Sequence, residues 1–234
     1  GGWLPAARGC ILPRGRGSAL RPAAQGSHAV PHRNRVTPTG EIEATPARGL
    51  LTGNRGVLHD AEQRLGSARW RHPHWIACAL SYKDWRRPIM APGRWTELFF
   101  LDEAVALAAG HRPCALCRRA DFRRFLAAWE AAFGARARVP EIDAALHRAR
   151  VEARTRRQVT HRAALADLPD AAFVRHAGEP HLVLGERLLR WTHGGYDEGR
   201  RRQTGAIGGL TPAPLVAVLR AGYRPLLHPS ALRS

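Results

Sequence analysis

Residues Thr96–Gly134 read TELFFLDEAVALAAGHRPCALCRRADFRRFLAAWEAAFG, and this stretch holds the only close cysteine pair of the chain, Cys114 and Cys117. Asp102 is placed to cap a short helix over Glu103–Ala109, with Gly110 at its C′ position. Arg112-Pro113 then forces a turn, because proline fixes its own φ and restricts the residue before it. The cysteine pair falls in that turn. Beyond it Phe122, Phe125, Leu126, Trp129 and Phe133 recur at steps of three and four, which predicts a second helix with one apolar stripe. Two cysteines two apart, in a turn that opens a helix, are the sequence form of a metal knuckle. Both sulfurs point into one space, and the helix N-terminus favours thiolate.

The segment also resembles the end of the zinc-binding domain of Ada-type DNA-repair proteins. In order these carry an aromatic strand, a capped helix with Glu-Ala, and Gly-aromatic-Arg-Pro-Cys-x-x-Cys. Here the matching residues are Phe99-Phe100, Asp102-Glu103-Ala104 and Gly110-His111-Arg112-Pro113-Cys114 with Cys117. The likeness spans about residues 97–118. It implies zinc at the knuckle and action on DNA. That family has a further Cys-x-x-x-Cys upstream, one sulfur of which takes up a methyl group. This chain has only Cys78 in that region, so the likeness does not extend to methyl transfer.

A knuckle with two sulfurs needs two further ligands. Trp75-Ile76-Ala77-Cys78-Ala79-Leu80 reads as a strand with Ile76, Cys78 and Leu80 on one face. Cys78 is therefore either core or the third ligand. His74 would sit ~13 Å from it along an extended strand at ~3.3 Å per residue. His59, at a strand end, is favoured over His74 as the fourth ligand, and His228 near the C-terminus is a further alternative. The expected metal set is Cys114, Cys117, Cys78 and His59, and the expected ion is Zn2+ in a structural role. The other chemistry of a Cys-x-x-Cys is redox, but that motif follows a strand in an alternating parallel sheet, a pattern missing around this pair.

Charge bounds the partners. Lys plus Arg is 37 against 19 Asp plus Glu, a formal net charge of +18, and Lys83 is the single lysine. A high-GC genome accounts for arginine over lysine but not for basic over acidic side chains. Such a potential draws polyanions, and the guanidinium fork suits phosphate and guanine edges. DNA or RNA is the expected partner, through Arg86, Arg87, Arg94, Arg118, Arg119, Arg123, Arg148, Arg154 and Arg157. The loop Asp84–Trp95 sets two tryptophans among its arginines, for base stacking or for packing on the sheet. No apolar run reaches the ~20 residues of a membrane span. The four cysteines, Cys10 among them, are too scattered for a disulfide scaffold. With no secretory apolar core near the N-terminus, these features set the expectation of a cytoplasmic protein, nucleoid-associated if DNA is what it binds.

The expected fold class is α+β: small antiparallel sheets with a zinc knuckle opening a helix, Ada-like or treble-clef-like, plus a C-terminal β-rich part. Residues 1–35, rich in Arg, Gly, Pro and Ala, read as a disordered basic arm. Residues 36–134 read as the knuckle domain, 135–166 as an Arg-rich helical linker with its helix over Glu141–Arg157, and 167–234 as the β-rich part. In that part short strands are predicted over Ala172–Val174, His181–Leu184 and Leu188–Trp191. A glycine-rich loop follows Trp191, and a last helix covers Pro214–Ala221. No serine elbow, phosphate loop or His-Glu-x-x-His occurs. Three functions remain in view: a nucleic-acid-binding zinc protein of DNA repair or modification; a treble-clef-like nuclease with His59 and Asp60 at a divalent ion; and a structural or protein-interaction module.

Overall fold

The capped helix is the element on which both sheets close. Asp102 accepts a hydrogen bond from the Val105 amide and starts α1 (Glu103–Ala108), every residue of which is buried. Gly110 follows at φ +82, and a Cβ there would lie 2.3 Å from Cδ of Arg150. Glycine is needed here for the left-handed backbone and for the close approach alike. A helix so thoroughly buried is a core element.

The computed structural model describes residues 30–85 and 88–233. Before α1 come β1 (Arg33–Val36), β2 (Ile42–Ala44), β3 (Leu51–Asn54), β4 (Ile76–Ala79) and β5 (Leu98–Phe100); β6 (Arg112–Pro113) follows it. They form one sheet in the order β2-β1-β5-β3-β4-β6. The sheet is mixed, not purely antiparallel, because β1 runs parallel to β5 and β4 parallel to β6. Two helices come next, α2 (Arg119–Phe133) and α3 (Val139–Arg150). Then β7 (His161–Ala164), β8 (Phe173–His176), β9 (Glu179–Leu184), β10 (Arg187–Thr192), β11 (Gly195–Arg201) and β12 (Ala206–Gly209) make a second sheet. Its order is β11-β10-β9-β8-β12-β7, antiparallel throughout. α4 (Ala213–Arg220) packs against α2 and α3.

Among the described residues, 31–233 belong to one compact unit. A single buried cluster takes in Phe100 from the first sheet, Leu107 of α1, Phe125 of α2, Leu146 of α3, Phe173 of the second sheet and Leu219 of α4. The boundaries drawn at 134 and 166 therefore fall inside one core. Arg33–Val36 is paired strand, so the basic arm cannot run to residue 35; residues 1–29, with Cys10, lie outside the described residues. α3 stops at Arg150, seven residues short of the expected Arg157. Val151 is extended and bridges Gln158, and Glu152 and Arg157 close a turn between them. Beyond Leu146 no large apolar side chain remains on the stripe to hold a further turn of helix against the core. The glycine-rich segment after Trp191 is strand β11 rather than a loop. Among the described residues no helix is long and apolar enough to cross a membrane.

Candidate metal centre

Strand register assembles the centre. Cys78 on β4 lies opposite Thr52 of β3. On the other side of β4, Ala77 pairs with Pro113, and the Cys114 amide donates to the Ala77 carbonyl at 2.9 Å. The chain leaves β6 at that bond and turns at once, the Arg118 amide donating to the Cys114 carbonyl at 3.2 Å. The turn brings Cys117 back over the strand. The three sulfurs of Cys78, Cys114 and Cys117 lie within 4.8 Å of one another. Cys78 and Cys114 are buried and Cys117 is half-buried. All three are free thiols.

Backbone amides aim at two of the sulfurs. The Leu116 amide donates to Sγ of Cys114 and the Ala79 amide to Sγ of Cys117, each at 3.4 Å. These bonds favour thiolate, as does the nearby start of α2. The sulfurs also bear on one another. The thiols of Cys117 and Cys78 donate to Cys114 and hold it well below the usual thiol range. The contact with Cys114 in turn pushes Cys117 and Cys78 up. Three sulfurs this close cannot all be anions unless a cation lies among them, and a bound divalent ion would remove that conflict. A group built of thiolates with no carboxylate selects soft or borderline metals over Mg2+ or Ca2+. The residues therefore fit a metal ion.

His59 is not brought to this group. β3 runs away from Cys78 after Thr52, and His59 lies seven residues further on. Its ring is buried, with Nδ1 2.6 Å from Oγ1 of Thr96 and Nε2 3.3 Å from the Ala91 carbonyl. Asp60 closes its own turn, accepting from the amides of Glu62 and Arg64 and from the Arg64 guanidinium. The two do not make a catalytic pair facing solvent. His74 is bonded to Asp143 and His228 to Ser230, so neither is a ligand here. Among the described residues the group has three donors.

The arginines divide. Arg118 is buried, with its Nη2 2.7 Å from Glu103 and 2.7 Å from Asp121. Burial alone would lower its pKa, but Glu103 and Asp121 raise it on balance. It is a core ion pair, not a contact for phosphate. Arg94, Arg119, Arg123, Arg148, Arg154 and Arg157 are exposed, as a polyanion would require. Arg86 and Arg87 lie outside the described residues. Within the loop Asp84–Trp95, Trp85 is 40% exposed and meets Tyr82 edge to face, while Trp95 is half-buried.

Sequence reasoning missed Asp143. It is 1% exposed and binds Arg112 through both oxygens and His74 through one. The available signal was an acid beside Ile142 on the buried stripe of α3, where a carboxylate needs a partner. No family model, curated protein or solved structure matches the chain.

Proposed function

We propose that the chain is a zinc-holding, strongly basic nucleic-acid-binding protein, with a role in DNA repair or modification. The observation that carries the reading is the convergence of Cys78, Cys114 and Cys117 within 4.8 Å at the opening of α2. Zinc is the ion favoured by a thiolate set on a knuckle. Cys78, Cys114 and Cys117 would hold it, and it would tie β4 to the start of α2 and so contribute to folding. The excess of bases over acids supplies the attraction for a polyanion, and the exposed arginines of α2, α3 and the turn after α3 present it. The likeness of residues 97–118 to Ada-type zinc domains supports DNA as the partner and repair as the setting.

The test has two arms. Metal analysis of purified protein should find about one zinc per chain, falling in Cys114→Ser. Mobility shift with mixed-sequence duplex and with single strand should show binding that weakens steeply as salt rises. A metal-free native protein would sink the zinc reading, and the absence of any shift at low salt would sink the nucleic-acid reading.

A further inference from the structure

A second cluster lies at the far end of β4 from the cysteines. Asp143 on α3 is buried, and Arg112 grips it with Nε on Oδ1 at 2.7 Å and Nη2 on Oδ2 at 2.9 Å. That grip already satisfies the carboxylate. His74 nevertheless adds a bond from Nδ1 to Oδ2 at 2.8 Å, although its side chain is 55% exposed. An exposed imidazole contributes little stability to a carboxylate that already has its cation. What the bond does is set the ring. With its proton on Nδ1 facing Asp143, a neutral His74 carries its lone pair on Nε2, on the side of the ring away from the carboxylate. The His72 ring stacks alongside, with centroids 5.9 Å apart, and the Arg150 guanidinium holds the Pro73 carbonyl between the two histidines at 2.6 Å. The backbone, the ring angle and the tautomer are thus all held, while the ring keeps access to solvent. That is the arrangement of a general base oriented by an acid.

We propose that His74 is a general base toward the ribose 2′-hydroxyl of a bound RNA strand, so that the chain cleaves RNA. The proposal rests on the nucleic-acid reading above, but takes RNA as the strand where the likeness to Ada-type domains favours DNA. A single imidazole suffices for this chemistry because the nucleophile is already tethered beside its own phosphorus. Nε2 takes the 2′-hydroxyl proton, O2′ bonds to phosphorus, and the bond from phosphorus to O5′ breaks. The leaving oxygen takes a proton from water and the imidazolium returns its own to solvent. The products are a 2′,3′-cyclic phosphate and a 5′-hydroxyl, with no change of oxidation state. Arg71, three residues before His74, is an exposed cation on the same stretch of chain.

The experiment uses the full chain, an end-labelled RNA oligonucleotide, its DNA counterpart and its 2′-O-methyl form. Cleavage of the RNA alone is the result expected, with cyclic phosphate ends. His74→Ala should lower the rate by about 100-fold or more, retain the mobility shift, and recover part of its activity in added imidazole. A surface substitution of this kind leaves the fold intact, and recovery by imidazole would not occur if the ring served structure alone. RNA that is shifted but not cut, or cut equally by His74→Ala, overturns the proposal and leaves the nucleic-acid reading standing. Absence of any shift overturns both.

Discussion

Replacing Arg118 by alanine separates a core ion pair from a nucleic-acid contact. Glu103 is 1% exposed and takes three donors: Arg118 Nη2 at 2.7 Å, the Tyr223 hydroxyl at 2.6 Å and the Leu226 amide at 2.9 Å. Removal of the cation leaves a buried carboxylate with two neutral donors. Breaking one side of a buried pair costs about 3–5 kcal/mol. In a domain of this size that corresponds to a fall in Tm of roughly 6–20 °C, and to a large part of the ~5–15 kcal/mol that holds such a domain. The assay is urea unfolding of wild type, Arg118→Ala, Glu103→Gln and the double variant Arg118→Ala with Glu103→Gln. The double variant should lose much less than the two single losses together, because neither charge is then left alone. A loss below about 1 kcal/mol for Arg118→Ala, or simple additivity, would refute the reasoning. A phosphate contact would behave otherwise, with stability unchanged and the salt slope of binding lower by about 1.

Serine at Cys78 should lower bound metal as serine at Cys114 should, since all three sulfurs share one space; equal metal content in wild type and Cys78→Ser would remove Cys78 from the set. His111 is fully buried, and burial, then Arg55 and Arg150, hold its pKa well below 6.5. The unfolded chain takes up that proton as pH falls through about 6.5 and the folded chain does not, so the stability this group supplies is present above that pH and lost below it. Relative to His111→Phe, wild type should lose about 1.4 kcal/mol per pH unit below pH ~6; parallel pH profiles of urea unfolding would contradict this. Gly110→Ala should cost at least ~1 kcal/mol, through its left-handed φ and its collision with Arg150, and a thermal melt matching wild type would disprove the close approach.

Local chemistry was legible and distant pairing was not. The cap at Asp102, the stop at Gly110 and the helix through Trp129 follow from neighbours in the chain, and each stands in the structure. The turn expected at Arg112-Pro113 comes only after that pair, which is extended as β6 beside β4. Cys78 was left between core and ligand, because only the parallel pairing of β4 with β6 decides that its sulfur meets the knuckle. His59 failed as a ligand for the same reason: its sequence position says nothing of the direction β3 takes. Arg118 looked like surface charge because its counter-ion Glu103 belongs to another helix. Leu80, expected inside with Cys78, is 54% exposed, since β4 ends at Ala79.

The carboxylates at the start of α1 explain why the C-terminal half is no separate domain. Oδ1 of Asp102 caps the helix, while Oδ2 takes the Tyr196 hydroxyl at 2.7 Å and the His228 amide at 2.9 Å. Glu103, next to it, takes Tyr223 and Leu226 from the segment after α4. Two adjacent residues thereby collect β11, the C-terminal tail and Arg118, the residue directly after Cys117. Burial raises the pKa of Asp102 to about 6 in spite of its three donors. The cysteine centre and the C-terminal segment are thus joined through one helix turn. Loss of metal at Cys117 should loosen Arg118, then Glu103, and then the tail that Glu103 holds. Hydrogen exchange at the Leu226 amide of metal-free protein, faster than in the metal-bound form, is the signature of that chain of contacts, and equal exchange in the two forms would break it.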